Sequence, residues 1–174
     1  FDSPVTVNAI ADVFRSLGHT VVELGDGRPF LEAVLKNPPD LVFNFAEGSG
    51  VSRSRESRVP AVCEMLGIPY SGSDPLTLAA TLDKDCAKTL VKGVVPVPWH
   101  VLVRPEEDPA DVLRRDGERL TFPVIVKPAW EGSSKGIRGK CVLVFEAVDQ
   151  LLAPNDNGAI VNVRDRCEFQ ALEI

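Results

Sequence analysis

Lys127 ends the apolar run FPVIVKP, residues 122–128, and EGSSKG follows at residues 131–136. Glycine lets a backbone approach an anion closely. Consecutive loop amides can form a nest for phosphate oxygens. The hydroxyls of Ser133 and Ser134 add donors, and Lys127 and Lys135 add positive charge. The chemistry on offer is the holding of a phosphate chain. The segment is not the loop G-x-x-x-x-G-K-[ST] that opens a helix. Taken alone, EGSSKG is equally well explained as a polar hairpin turn.

Other candidates also have two readings. Lys84 follows Asp83 in LDKDCAK, at a helix start where solvated lysines are common. Glu168 and Glu173 in CEFQALEI are carboxylates with the hard oxygens that suit Mg²⁺. They also alternate with apolar residues, as solvent-facing strand positions do. Arg53, Arg55 and Arg58 form either a forked guanidinium site for a carboxylate or phosphate, or a solvated loop. His19 follows a glycine and reads as a surface residue, while His100 beside Trp99 reads as structural. Neither has a neighbouring serine or cysteine arrangement of the hydrolase kind.

The elements that must position these residues follow from periodicity and punctuation. Ser3-Pro4 reads as a helix start, with apolar residues at helical spacing up to Gly18. Residues 20–24 form a β-branched strand, and Gly25-Asp26-Gly27 a turn. A short helix over 29–36 is stopped by Asn37-Pro38-Pro39. The stretch DLVFNFA, residues 40–46, is a mostly apolar strand of the kind buried on both faces of a parallel sheet. Residues 56–66 form a helix in which Pro60 is awkward, so its start is expected near Pro60. Asp74-Pro75, Asp83 and Asp108-Pro109 each start a helix. Residues 99–103 form a strand, and residues 122–128 and 137–145 a hairpin around EGSSKG. A short helix over 146–152 precedes a tail of two or three strands. Helix and strand alternate in the first half, which implies α/β layers with a parallel sheet.

Composition bounds the function classes. The 174 residues are 44% hydrophobic and 25% charged, an ordinary globular balance long enough for a real core. The net charge of -6 argues against a broad nucleic-acid or anionic-membrane footprint, but not against a nucleotide, which needs only a few local cations. Cys63, Cys86, Cys141 and Cys167 show no C-x-x-C spacing and sit among apolar neighbours, so they read as reduced, buried thiols rather than a zinc site. No segment is apolar enough for a membrane span, and the opening residues read as helix rather than as a leader. A cytoplasmic location is expected.

The segments LGIPYSGS, LDKDCAK, VPVPWHVL and FPVIVKPAWEGSSKGI occur in that order. Their order and separation resemble the D-alanine–D-alanine ligases and their ATP-grasp relatives, over roughly residues 40–140. The resemblance implies an α/β ATP-grasp fold. Its parts would be an N-terminal open parallel-sheet domain over 1–80, a small α+β central domain over 81–157, and an incomplete C-terminal domain over 158–174. It implies that Lys84 and Lys127 contact nucleotide phosphates and that Gly132, Ser133 and Ser134 form a loop over the transferring phosphate. Glu131 stands at the family's acidic position before that loop, and Ser133 becomes the candidate catalytic residue. Glu168 and Glu173 resemble a compressed form of the family's magnesium ligands. The implied activity is ATP-dependent ligation of a carboxylate to an amine through an acyl phosphate, with ATP and Mg²⁺. The implied partners are small-molecule substrates such as amino acids, with no nucleic acid and no membrane. Dimers are usual in the family, so a homodimer is the expectation by analogy.

The sequence also departs from the family. After its second strand the family shows H-G-x-x-G-E-D-G. Here Glu47 stands where the histidine would be, and Arg55-Glu56 where the two acids would be. The stretch between Leu152 and Val161 is short for an adenine-binding segment. The alternative to an enzyme is a non-catalytic nucleotide-binding module. A third reading is a generic α/β binding domain whose GSSKG is a turn.

Overall fold

The structure is a computed structural model that describes residues 3–135, 142–143 and 167–171. The chain divides into two compact units, Phe1–Ala79 and Ala80–Ile174.

In the first unit, α1 spans Pro4–Ser16. Ser3 caps it and Pro4 occupies the first turn, where a missing N–H costs nothing. Helix α2, Gly27–Lys36, is capped by Asp26, and its Phe30 and Val34 face the core. Helix α3, Arg58–Leu66, follows a 3₁₀ turn at Arg55–Ser57 and ends at left-handed Gly67. Pro60 is accommodated because it lies in the first turn of α3, whose amides lack intrahelical partners. Helix α4 is Pro75–Leu82. Phe30, Val34, Val42, Val59, Cys63 and Ile68 form the core, with Leu24, Ala46, Val62 and Tyr70 packed against it. Each such burial contributes about 1.5–3 kcal/mol for a large aliphatic or aromatic side chain. Burial also pushes the Cys63 thiol up from its ordinary pKa.

Two strand expectations are corrected here. Residues 20–24 form no ladder, and Val22 is largely exposed. Residues 40–46 make one parallel bridge, Val42 to Tyr70, secured by Val42 N–H to the Pro69 carbonyl and Ser71 N–H to the Val42 carbonyl, both 2.9 Å. Val42 is buried, whereas Leu41, Phe43 and Phe45 are exposed. The expected burial on both faces is therefore absent there. Strand propensity qualifies a stretch for a sheet, but a ladder requires a neighbouring backbone.

Among the described residues the second unit holds a four-stranded sheet ordered β1-β4-β2-β3. The strands are β1 His100–Val103, β2 Val124–Pro128, β3 Val142–Leu143 and β4 Cys167–Ala171. All the pairings are antiparallel. Strands β2 and β3 are the two arms of the hairpin expected around EGSSKG, in the register Val124 to Leu143 and Ile125 to Val142. Strand β4 lies between β1 and β2. Helix α5, Lys84–Val91, is capped by Asp83, and α6, Pro109–Asp116, by Asp108. Val112 and Leu113 of α6 are buried, as are Val101, Val103, Leu120, Val124 and Ala129. Among the described residues no helix is long and apolar enough to cross a membrane.

Candidate functional site

The start of α5 is capped by Asp83 and is fastened to the residues that follow β2 by three hydrogen bonds. Asp83 Oδ1 accepts the Cys86 amide at 3.0 Å, capping α5. Its other oxygen, Oδ2, accepts the Trp130 indole N–H at 3.0 Å. The Lys84 amide donates to the Ala129 carbonyl at 3.1 Å. The Lys84 ammonium, Nζ, donates to the Glu131 carbonyl. Asp83 is only 5% exposed, so this carboxylate is held among donors, as a buried anion must be.

Beyond Trp130 the chain enters the glycine–serine loop. Lys135 N–H closes a turn onto the Gly132 carbonyl at 2.9 Å. The Lys135 ammonium reaches the Glu131 carboxylate at 3.3 Å. Glu131 therefore holds one lysine through its carbonyl and another through its carboxylate. Ser133 and Ser134 are exposed, with φ of 49° and 56°. Two consecutive non-glycine residues in the left-handed region cost on the order of 1–3 kcal/mol each, a strain that concentrates where backbone shape serves function. Lys84, whose ammonium meets the Glu131 carbonyl just before this stretch, is a cation at the first position of α5, where the helix dipole is already positive. That combination favours an anion at this end of the unit.

Lys127 lies half-buried on β2, with Glu168 of β4 as its cross-strand partner. The structure thus brings Lys84 against Glu131, which Gly132, Ser133 and Ser134 follow in the chain, with Lys127 on the strand that leads toward them. Glu168, expected as a Mg²⁺ ligand, stands at the β4 register position across from Lys127. Glu173 and Gly136 lie outside the described residues, as do the expected helix over 146–152 and the tail beyond Ala171. Among the described residues no group of three His, Cys, Asp or Glu side chains is arranged around a cation position.

Asp83 and Trp130 were not singled out by sequence as site residues. Asp83 was legible only as a helix cap. The signal for Trp130 was available in principle, because a partly buried indole needs an acceptor and the cap carboxylate has a second oxygen.

Residues 47–58 of the first unit, which depart from the family pattern, pack on themselves. Gly48 has φ of 72°, and a Cβ there would lie 2.5 Å from the Arg55 carbonyl oxygen. Arg55 is 2% exposed, so of the two readings open for the arginine cluster the solvated loop does not hold for this residue. Arg58 donates to the Ser49 carbonyl at 2.9 Å. In the second unit a shallow groove of about 450 Å³ runs along β1. Several of its polar side chains have local partners: His100 Nε2 lies 3.0 Å from Asp85 Oδ1, Arg115 pairs with Asp116 at 2.7 Å, and Arg119 lies over the Trp99 ring at 4.0 Å. His19 is exposed and edges onto Phe14.

No family model matches the chain. Comparison with known proteins nevertheless finds a D-alanine–D-alanine ligase from Aquifex aeolicus, 33% identical over 148 residues, which are 84% of this chain and 46% of that protein. A D-alanine–D-alanine ligase from Pseudomonas putida is 34% identical over 130 residues, 74% of this chain and 39% of that protein. Among solved structures, the Bacillus anthracis D-alanine–D-alanine ligase complexed with ATP aligns with a TM-score of 0.57 at 22% identity, over 87% of this chain and 46% of that one. At that identity the likeness shows a shared fold. The chain spans less than half the length of these relatives.

Proposed function

Because the chain belongs to the D-alanine–D-alanine ligase family, we propose that it carries the nucleotide-handling part of an ATP-dependent carboxylate–amine ligase. The observation that carries this reading is the joint between α5 and the glycine–serine loop, where the Lys84 ammonium meets the backbone of Glu131 just before two strained, exposed serines.

In this reading ATP lies with its phosphates over residues 131–134. Lys84 and Lys127 neutralise phosphate oxygens, and Ser133 donates to the transferring group and orients the acceptor carboxylate. The carboxylate oxygen attacks the γ-phosphorus, the bond to the β-phosphate oxygen breaks, and ADP leaves. The amine nitrogen then attacks the acyl carbon of the resulting acyl phosphate, phosphate departs, and the amine loses a proton to solvent. Phosphoryl transfer asks the protein mainly for positioned cations and donors around spreading negative charge. Glu168 and Glu173 are the residues proposed to hold Mg²⁺, which when bound supplies charge neutralisation between the phosphates. The substrates are small amino-acid-like carboxylates and amines, and the setting is cytoplasmic.

The test is ADP release by the full-length protein with ATP and Mg²⁺ across a panel of D- and L-amino acids. The expected result is release that requires particular amino acids and collapses in Lys127→Ala and Ser133→Ala. Tight ATP binding without turnover on any acceptor would favour a non-catalytic nucleotide-binding module instead.

A further inference from the structure

The two oxygens of Asp83 serve two different elements. Oδ1 caps α5, which begins with Lys84, and Oδ2 takes the indole N–H of Trp130, the residue before Glu131. A helix cap needs only one acceptor oxygen, and solvent can serve the other. Here the second oxygen belongs to a buried side chain and is committed to Trp130, in the turn between β2 and the loop. The Lys84 amide and ammonium bond to Ala129 and Glu131, on either side of that indole. Consecutive residues 83–84 therefore grip consecutive residues 129–131.

We propose that Asp83 and Trp130 form a latch that fixes the Lys84 ammonium relative to the glycine–serine loop, making both of them positioning residues for nucleotide phosphate. The proposal rests on the nucleotide reading above. Neither residue need touch the nucleotide. Their effect passes through Lys84 and Glu131, whose spacing sets where a phosphate oxygen can be shared between the ammonium and the loop. A shift of about 1 Å in such a charged pair is enough to weaken it measurably. The carboxylate geometry matters as well as its charge. An asparagine at residue 83 keeps one acceptor for the cap but turns an NH₂ group toward the Trp130 N–H, setting donor against donor.

The experiment measures ATP and adenosine affinity by calorimetry for the full-length protein, Asp83→Asn, Trp130→Phe and the double variant, with thermal midpoints recorded beside them. Each single variant is expected to weaken ATP by about five- to tenfold. Adenosine affinity should not move, and the double variant should be no weaker than the worse single one. Equal weakening of ATP and adenosine, or additive losses, would overturn the latch, as would unchanged ATP affinity in both single variants. If Asp83→Asn does not fold, Trp130→Phe carries the test. A wild-type protein that binds no ATP would overturn the nucleotide reading and the latch with it, whereas wild-type binding with unmoved variants would overturn the latch alone. In the 174-residue chain carrying Trp99→Phe, Trp130 is the remaining tryptophan, and its emission should shift in Asp83→Asn if the indole is held as described.

Discussion

The loop after β2 and the loop before α3 are both polar, glycine-containing and irregular, yet they are built differently. The first is fastened to another element, with Lys84 and Asp83 gripping residues 129–131 and strained serines left exposed. The second is fastened to itself, with Gly48 pressed against Arg55 and Arg58 tied to Ser49. The first leaves Ser133 and Ser134 exposed, whereas the second buries its central arginine, Arg55. The contrast teaches that two loops of similar composition can hold their shape in two ways, one by bonds to a neighbouring helix and the other by contacts within itself.

The largest effect that would sharpen this contrast is the loss of Lys127. Lys127→Ala should lower ATP turnover by roughly a hundredfold or more, since each preorganised charge at developing phosphate charge is worth about that much. Steady-state ADP release measures it, and near-normal rates would break the assignment. Gly48→Ala should strike the other loop by stability instead. Its Cβ would lie 2.5 Å from a backbone oxygen, at a φ of 72° that already disfavours alanine. The expected loss is about 2–4 kcal/mol, read by urea unfolding.

Ser134→Gly separates strain from chemistry. Glycine adopts the observed φ of 56° without steric cost, so stability should hold or rise by up to about 1 kcal/mol. Turnover should fall because a donor hydroxyl is lost. A variant that loses stability would contradict the strained backbone described for this loop. The smallest effect concerns α4. The Asp74 carboxylate accepts the Thr77 amide, which holds its pKa below the ordinary value of 3.8. A lowered folded-state pKa gives stability that is present above the unfolded value and lost as pH falls through the folded one. The thermal midpoints of wild type and Asp74→Ala should therefore differ at neutral pH and converge below pH 3.8.

Much of this was legible in the sequence because local rules decide it. Helix starts at Ser3, Asp83 and Asp108 follow from a side-chain acceptor placed before a run of orphan amides, and the structure places caps at all three. The β2 arm of the hairpin was legible from its apolar run and the glycine–serine break. Residues 20–24 and 40–46 misled because their β-branched and aromatic content speaks to propensity, whereas pairing depends on backbone distant in sequence. The position of β4 between β1 and β2 was beyond local reading for the same reason. For the site, lysines and serines announced themselves by type. The Asp83–Trp130 bond did not, because it joins residues 47 positions apart through one oxygen of a side chain already explained as a cap. Buried Arg55 was hidden by a polar neighbourhood that reads as solvated.

The central claim is that the braced loop serves carboxylate activation by ATP. The most direct measurement supplies the full-length protein with ATP, Mg²⁺, the amino-acid panel and hydroxylamine, and follows hydroxamate beside ADP. The account predicts hydroxamate formed in step with ADP for particular carboxylates, and neither product in Lys127→Ala. ATP binding with no ADP and no hydroxamate from any carboxylate would contradict it.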